Sequence, residues 1–236
     1  SNACMKRIVA APTAGSCGVI PAVLLTYYEQ KNPPKEKIIK SLYVAAGIGQ
    51  AIANTASISG AEGGCQAEIG SASAMAAGAL TYLESENESS EMPETNEKRE
   101  THTIGEENCE AFAGNKSEET RKPAENESRK VKIEETNEQI ANAAALALKN
   151  MLGLTCDPVA GLVEVPCIKR NVSGAVNAII ASQMTKAGIK SAIPADEVIE
   201  SMGRIGSLIP PCLKETSQEG LAATATAQKI AEKMQG

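Results

Sequence analysis

The segment 66-QAEIGSASAMAAGALTYL-83 consists almost entirely of Ala, Gly and Ser between a few larger apolar residues. Side chains this small let neighbouring backbones approach closely but give a β-sheet little to interdigitate, because strands favour aromatic and β-branched residues. The rest of the chain agrees. Of its 236 residues 42% are apolar, yet only 2% are aromatic: no Trp, one Phe (Phe112) and four Tyr. A core made of Ala, Ile, Leu, Val and Gly predicts an all-α fold.

Apolar periodicity then places the helices. Lys37–Asn54 follows Pro33-Pro34 and is apolar at Ile38, Leu42, Ala45, Ala46 and Ile52, the spacing of one buried helical face. Further helices are predicted over Gln66–Leu83, Asn137–Leu152 (ended by Gly153), Ser173–Lys186 (ended by Gly188), Asp196–Arg204 and Gly220–Met234. Between them run loops punctuated by Gly and Pro.

The formal charge of -6 is local. Residues 84–133 hold 14 Glu against 8 Lys and Arg, and the remainder is balanced. This acidic stretch is too poor in apolar residues to offset the entropy of ordering, so it reads as a disordered insertion. The predicted organisation is one helical domain formed by 1–83 and 134–236, interrupted by 84–133. The insertion carries the sole histidine, His102, and Cys109, which read as solvated residues and not as a metal pair. No basic stripe suits a phosphate backbone, so nucleic acid is set aside. No apolar run is long enough to span a bilayer and no signal peptide is apparent, which gives a cytoplasmic expectation.

Cysteines stand at 4, 17, 65, 109, 156, 167 and 212. Without a secretory signal they are expected reduced, which ranks metal binding or reactivity above disulfides. Three loops concentrate the chemistry. In 10-AAPTAGSCGVIP-21, Thr13 and Ser16 sit in a rigid turn that suits an anion, or form a plain strand-to-helix turn. In 60-GAEGGCQAE-68, Cys65 stands at a helix start, where the macrodipole favours a thiolate. In 155-TCDPVAGLVEVPCIKRN-171, Cys156 and Cys167 are ten residues apart, stiffened by Pro158 and Pro166. Each cysteine alone also reads as a small core residue.

Taken together, "AAPTAGSCGVIP", "GGCQAEIGSASAMAAGAL", "ALKNMLGLTCDPVAGLVEVPCIKRN" and "GLAAT" resemble, in the same order, the α-chain segment of iron–sulfur-dependent L-serine dehydratases. The resemblance covers nearly all of the chain outside the acidic stretch. It implies a lyase that converts L-serine to pyruvate and ammonia with a [4Fe-4S] cluster held by Cys65, Cys156 and Cys167. Three ligands leave one iron open as a Lewis acid for the serine hydroxyl. Thr13, Ser16, Lys169, Arg170 and Asn171 are then expected around the substrate, with at most one of Lys169 and Arg170 turned inward. The resemblance also implies a β-chain or β-domain, further sequence ahead of the "APTAGS" motif, and an oligomer, so the chain reads as an incomplete α-chain that is inactive alone.

No catalytic base is identified, because the single histidine falls in the acidic stretch. The sequence departs from the family in that long insertion and in "GLAATATAQ", which has Ala where Pro and Gly are usual. Cys17 and Cys212 read as structural. Two other classes stay open: a cluster-dependent cysteine desulfidase, which differs in its leaving group, and a helical interaction module without catalysis.

Overall fold

The computed structural model describes residues 6–87, 123–156, 158–160 and 165–235. Its helices are α1 (Val19–Lys31), α2 (Lys35–Thr55), α3 (Gly60–Gly63), α4 (Ser71–Asn87), α5 (Pro123–Lys149), α6 (Val165–Lys186), α7 (Ala195–Leu208) and α8 (Ala225–Gln235). A single π-turn, Gln66–Gly70, leads into α4, and short 3₁₀ turns occupy Pro211–Leu213 and Gly220–Ala223. No strand forms among the described residues; one isolated parallel bridge joins Cys156 to Lys214. The all-α expectation holds.

Helix α4 is the axis of the fold, and α1, α2, α5 and α6 all pack on it. Every residue from Gly63 to Thr81 is buried, so up to Tyr82 this helix has no solvent face, which only small side chains allow. Gly78 shows the closeness: a Cβ there would run into Ile48 Cδ1 on α2 and stand 3.2 Å from Ile140 Cγ2 on α5. The surrounding helices contribute the larger groups of one core, among them Val19, Leu24, Ile52, Leu148, Val198 and Met202.

Polar side chains in this core are paired across helices. Asn177 on α6 donates to Ser73 Oγ (2.9 Å) and to the Ala147 carbonyl (2.9 Å), and Ser73 Oγ donates to the Gly174 carbonyl (2.8 Å). Thr81 and Ser182 hydroxyls meet at 2.9 Å. Such bonds cost little once made and leave expensive orphans if one partner is lost.

Several boundaries differ from those read in the sequence. Helix α1 was not among the predicted helices, although Val19, Ile20, Val23, Leu24 and Tyr27, all buried, repeat at helical spacing. Helix α5 begins at Pro123 and not at Asn137, so Pro123–Ile133 of the predicted insertion is helical. Proline suits a first helical position, and the Glu, Arg and Lys residues that follow are good helix formers even where no core face exists. At the other edge of the acidic stretch, Glu84–Asn87 continue α4. The centre of that stretch, 88–122, with His102 and Cys109, lies outside the described residues. Helix α6 begins at Val165, eight residues earlier than predicted. Cys167, Lys169, Arg170 and Asn171 therefore stand on the first turns of a helix instead of in a loop. The last predicted helix divides into the 3₁₀ turn Gly220–Ala223 and α8.

Candidate active site

Cys65 lies between Gly64 and the π-turn that opens α4, and Cys156 lies in the segment after α5. Both are nearly closed to solvent, at 2% and 3% exposure, and share an apolar surround of Ile69, Met151 and Leu154. Their side chains hydrogen-bond to one another. That bond holds the Cys65 thiol below its ordinary pKa in spite of burial, and the positive charge of Arg170 acts in the same direction. Cys156 moves strongly upward, first because it is the donor in this bond, then by burial and by the negative charges of Cys65, Glu215 and Glu68.

Backbone and amide clamps hold the two cysteine segments in register. Gln66 N–H donates to the Leu154 carbonyl (2.9 Å), and Gly153 N–H donates to Gln66 Oε1 (2.8 Å). The Gln66 amide nitrogen donates to the carbonyls of Gly63 and Met202, both at 3.0 Å, tying α7 to the same point. On the far side, Cys156 N–H donates to the Leu213 carbonyl (2.8 Å) and Glu215 N–H to the Cys156 carbonyl (3.2 Å). Gln66 is fully buried and each of its amide atoms is used.

The first turns of α6 bring the next group. Arg170 Nη1 donates to the Thr155 carbonyl (2.9 Å), which sets the guanidinium beside Cys156 in the chain and within electrostatic reach of Cys65. Asn171 Nδ2 donates to the Gly15 carbonyl (2.6 Å) and the Cys167 carbonyl (2.9 Å), while its Oδ1 accepts from Gly18 N–H (3.0 Å). One side chain therefore fastens α6 to the loop before α1. Lys169 is exposed. In that loop Thr13 and Ser16 hydroxyls meet at 2.8 Å, Ser16 N–H reaches Thr13 Oγ1 (3.3 Å), and Thr13 Oγ1 donates to Glu68 Oε1.

Of the residues singled out in the sequence, the structure joins Cys65 to Cys156, Arg170 to the Cys156 segment, and Asn171 to the Thr13–Ser16 loop. Cys167 is half-buried, one turn before Asn171. Among the described residues no three His, Cys, Asp or Glu side chains stand together as a metal-binding group. The Cys65–Cys156 pair is nonetheless a set of soft donors of the kind thiophilic metals take. Cys17 and Cys212 are half-buried free thiols.

Two carboxylates were not anticipated. Glu68, on the π-turn, is a charged residue buried among small ones, and its place three residues after Cys65 was visible in the sequence. Glu215 carried no signal, since its approach depends on the Cys156–Lys214 bridge. The Glu215 carboxyl is pushed up, first by desolvation and then by the charge of Glu68.

Known proteins give this geometry a context. The family described as "Serine dehydratase alpha chain" matches residues 1–93 and 132–222. The probable L-serine dehydratase alpha chain of Bacillus subtilis (strain 168) is 46% identical over 235 residues, covering 100% of this chain and 62% of that protein. Its counterpart in Latilactobacillus sakei is 42% identical, covering 99% of this chain and 88% of the other. The L-serine dehydratase TdcG of Escherichia coli (strain K12) is 38% identical over 223 residues, covering 94% of this chain and 38% of the relative. This chain thus spans about three-fifths of the Bacillus protein and under half of the Escherichia one. By the extent of the family match and by these identities, the chain belongs to the serine dehydratase alpha chain family.

Proposed function

We propose that the chain is the cluster-bearing part of an enzyme that deaminates L-serine to pyruvate and ammonia. The observation that carries this reading is the buried Cys65–Cys156 pair beside Arg170, in a chain whose relatives are named L-serine dehydratase. Cys65, Cys156 and Cys167 would hold a [4Fe-4S] cluster, which when bound supplies a Lewis acid for the substrate hydroxyl. The donor chemistry fits: two thiols already in contact, one of them biased toward thiolate, within apolar walls and near a cation.

The chain's own residues have separable tasks. Arg170 favours negative charge at Cys65 and offers a guanidinium to the serine carboxylate. Thr13 and Ser16 present hydroxyls to the polar part of the substrate, and Thr13 donates a hydrogen bond to Glu68 Oε1. Asn171 fixes the distance between that loop and α6. Ile69, Met151 and Leu154 keep water from the thiols. Several relatives carry the designation alpha chain, and we extend it here: a companion β-chain completes the enzyme, brings the group that takes the α-proton, and makes the active form an oligomer. No helix among the described residues is long and apolar enough to cross a membrane, and we assign the enzyme to the cytoplasm.

Anaerobic reconstitution followed by iron and sulfide analysis tests the reading. The wild-type chain should take up cluster, and Cys65→Ser, Cys156→Ser and Cys167→Ser should each lose most of it. Full iron content in Cys167→Ser would remove that residue from the ligand set. With its companion chain the loaded protein should form pyruvate from L-serine. Sulfide release from L-cysteine in its place would move the assignment to a desulfidase, and no cluster uptake at all would leave a non-catalytic helical module.

A further inference from the structure

Glu68 is only 8% exposed and sits in a stretch otherwise free of charge. A carboxylate in such a place is costly unless it has a task and partners. Its seat is well defined. The π-turn carries it out of the α4 helical register, and Thr13 Oγ1 holds Oε1. At Gly15 the carboxylate lies directly over the backbone, so that a Cβ added there would stand 2.6 Å from both oxygens. Oε2 points toward Gly60, 3.4 Å from where a Cβ would be, and Glu215 Oε1 approaches the same spot at 2.5 Å. Thr13 thus occupies one oxygen, and the other faces a place where negative charge accumulates.

Arg170 is bonded to the Thr155 carbonyl, next to Cys156, and Glu68 stands three residues after Cys65 on the π-turn that Gln66 ties to the same segment through the Leu154 carbonyl and Gly153 N–H. A guanidinium and a buried carboxylate on the two segments that carry the cysteine pair are complementary to a small molecule that carries a carboxylate and an ammonium, which is an α-amino acid zwitterion.

We propose that Glu68 is the residue that receives the α-ammonium of the substrate, with Oε2 accepting from it while Thr13 holds Oε1; this rests on reading the site as an L-serine site. Glu68 is then a specificity residue. It separates amino acids from hydroxy acids of the same length, because a ligand without the ammonium leaves the Glu68 and Glu215 charges facing each other without a cation between them.

Equilibrium binding to the reconstituted enzyme, measured by calorimetry with L-serine and with 3-hydroxypropanoate, tests this directly. Glu68→Gln keeps the shape and the Thr13 bond but removes the charge. It should weaken L-serine by about tenfold to a hundredfold, the value of a charge-assisted bond, while 3-hydroxypropanoate binds as well as before or more tightly. Equal weakening of both ligands, or unchanged binding of L-serine, would overturn the assignment. If Glu68→Gln does not fold, Gly15→Ala gives the same readout, since its methyl group displaces the carboxylate from its seat; selective loss of L-serine supports the proposal and parallel loss overturns it. Failure of the wider reading looks different: wild-type enzyme that binds no L-serine sinks the serine site itself, and Glu68's role with it.

Discussion

Helix α4 and the cysteine segments it leads from are neighbours in the chain, yet they are held by different forces. Around Ala72–Leu80 the binding force is close packing of small side chains against Ile, Leu and Val of α1, α2 and α5 and the alanines of α6, with dispersion and apolar burial doing most of the stabilising. Around Cys65 and Cys156 the apolar contribution is a few residues, and position comes from backbone bonds through Gln66, Leu154, Leu213 and Glu215. The contrast shows how a chain can keep a rigid scaffold while presenting thiols, a guanidinium and carboxylates in one place. The packed helix tolerates no volume change, whereas the site tolerates charge because its backbone polar groups are already satisfied.

The sharpest way to break this comparison is to injure the packed side alone. Leu148 on α5 is fully buried in the core, and Leu148→Ala should cost about 2–5 kcal/mol through lost burial and the cavity left behind. Chemical denaturation of the cluster-free chain reads it directly; a loss well below 1 kcal/mol would mean that the α4 surround is loosely packed. On the other side, Arg170→Ala should leave the denaturation midpoint almost in place. It should raise KM for L-serine about tenfold in the complete enzyme, by removing the charge that faces the substrate carboxylate. An unchanged KM removes Arg170 from the site, and a collapse in stability would show that the site and the scaffold are not separable.

The smallest expected effect concerns Glu215. Desolvation and Glu68 raise its carboxyl above the ordinary glutamate pKa. A carboxyl raised on folding favours the folded state only while protonated, so its ionisation is a penalty that is full at neutral pH and fades as pH falls through the raised value toward the unfolded one. Glu215→Gln removes that penalty. The thermal midpoint of the cluster-free variant should therefore be slightly higher than wild type at neutral pH, and the difference should vanish in acid. A difference that grows as pH falls would reverse the sign of the Glu68–Glu215 interaction.

Much of the fold is legible in local pattern. The small-residue run from Gln66 to Leu83 read as a closely packed helix, and Lys37–Asn54 is helical as its spacing predicts, with Ala45 and Ile52 of the expected face buried; Leu42 and Ala46 are exposed, and Ser41 and Gly49 complete the buried face in their place. The errors are at helix ends with few apolar cues. Pro123–Ile133 is helical because its residues favour helix intrinsically, and Glu127–Ile133 are all exposed, so no buried face reveals them. Val165–Val172 was hidden because Pro166 reads as a loop marker, while proline is equally at home in a first helical turn. Arg170 and Asn171 therefore stand on a helix and not in a loop, and Asn171 fastens that helix to Gly15 and Gly18.

What the sequence determined by itself is the class of fold and the inventory of chemistry: helices from composition and periodicity, and the thiols, hydroxyls and cations from three punctuated loops. Both are local properties, set by side-chain size and backbone preference over a few residues. Tertiary structure alone decided which of those groups meet. Cys65 and Cys156 are separated by the whole of α4 and α5, Thr13 and Glu68 by three helices, and Glu215 arrives through a single bridge to the Cys156 segment. No spacing rule reaches across such intervals, because each meeting is fixed by how whole helices pack around α4 and by where the buried backbone donors find acceptors.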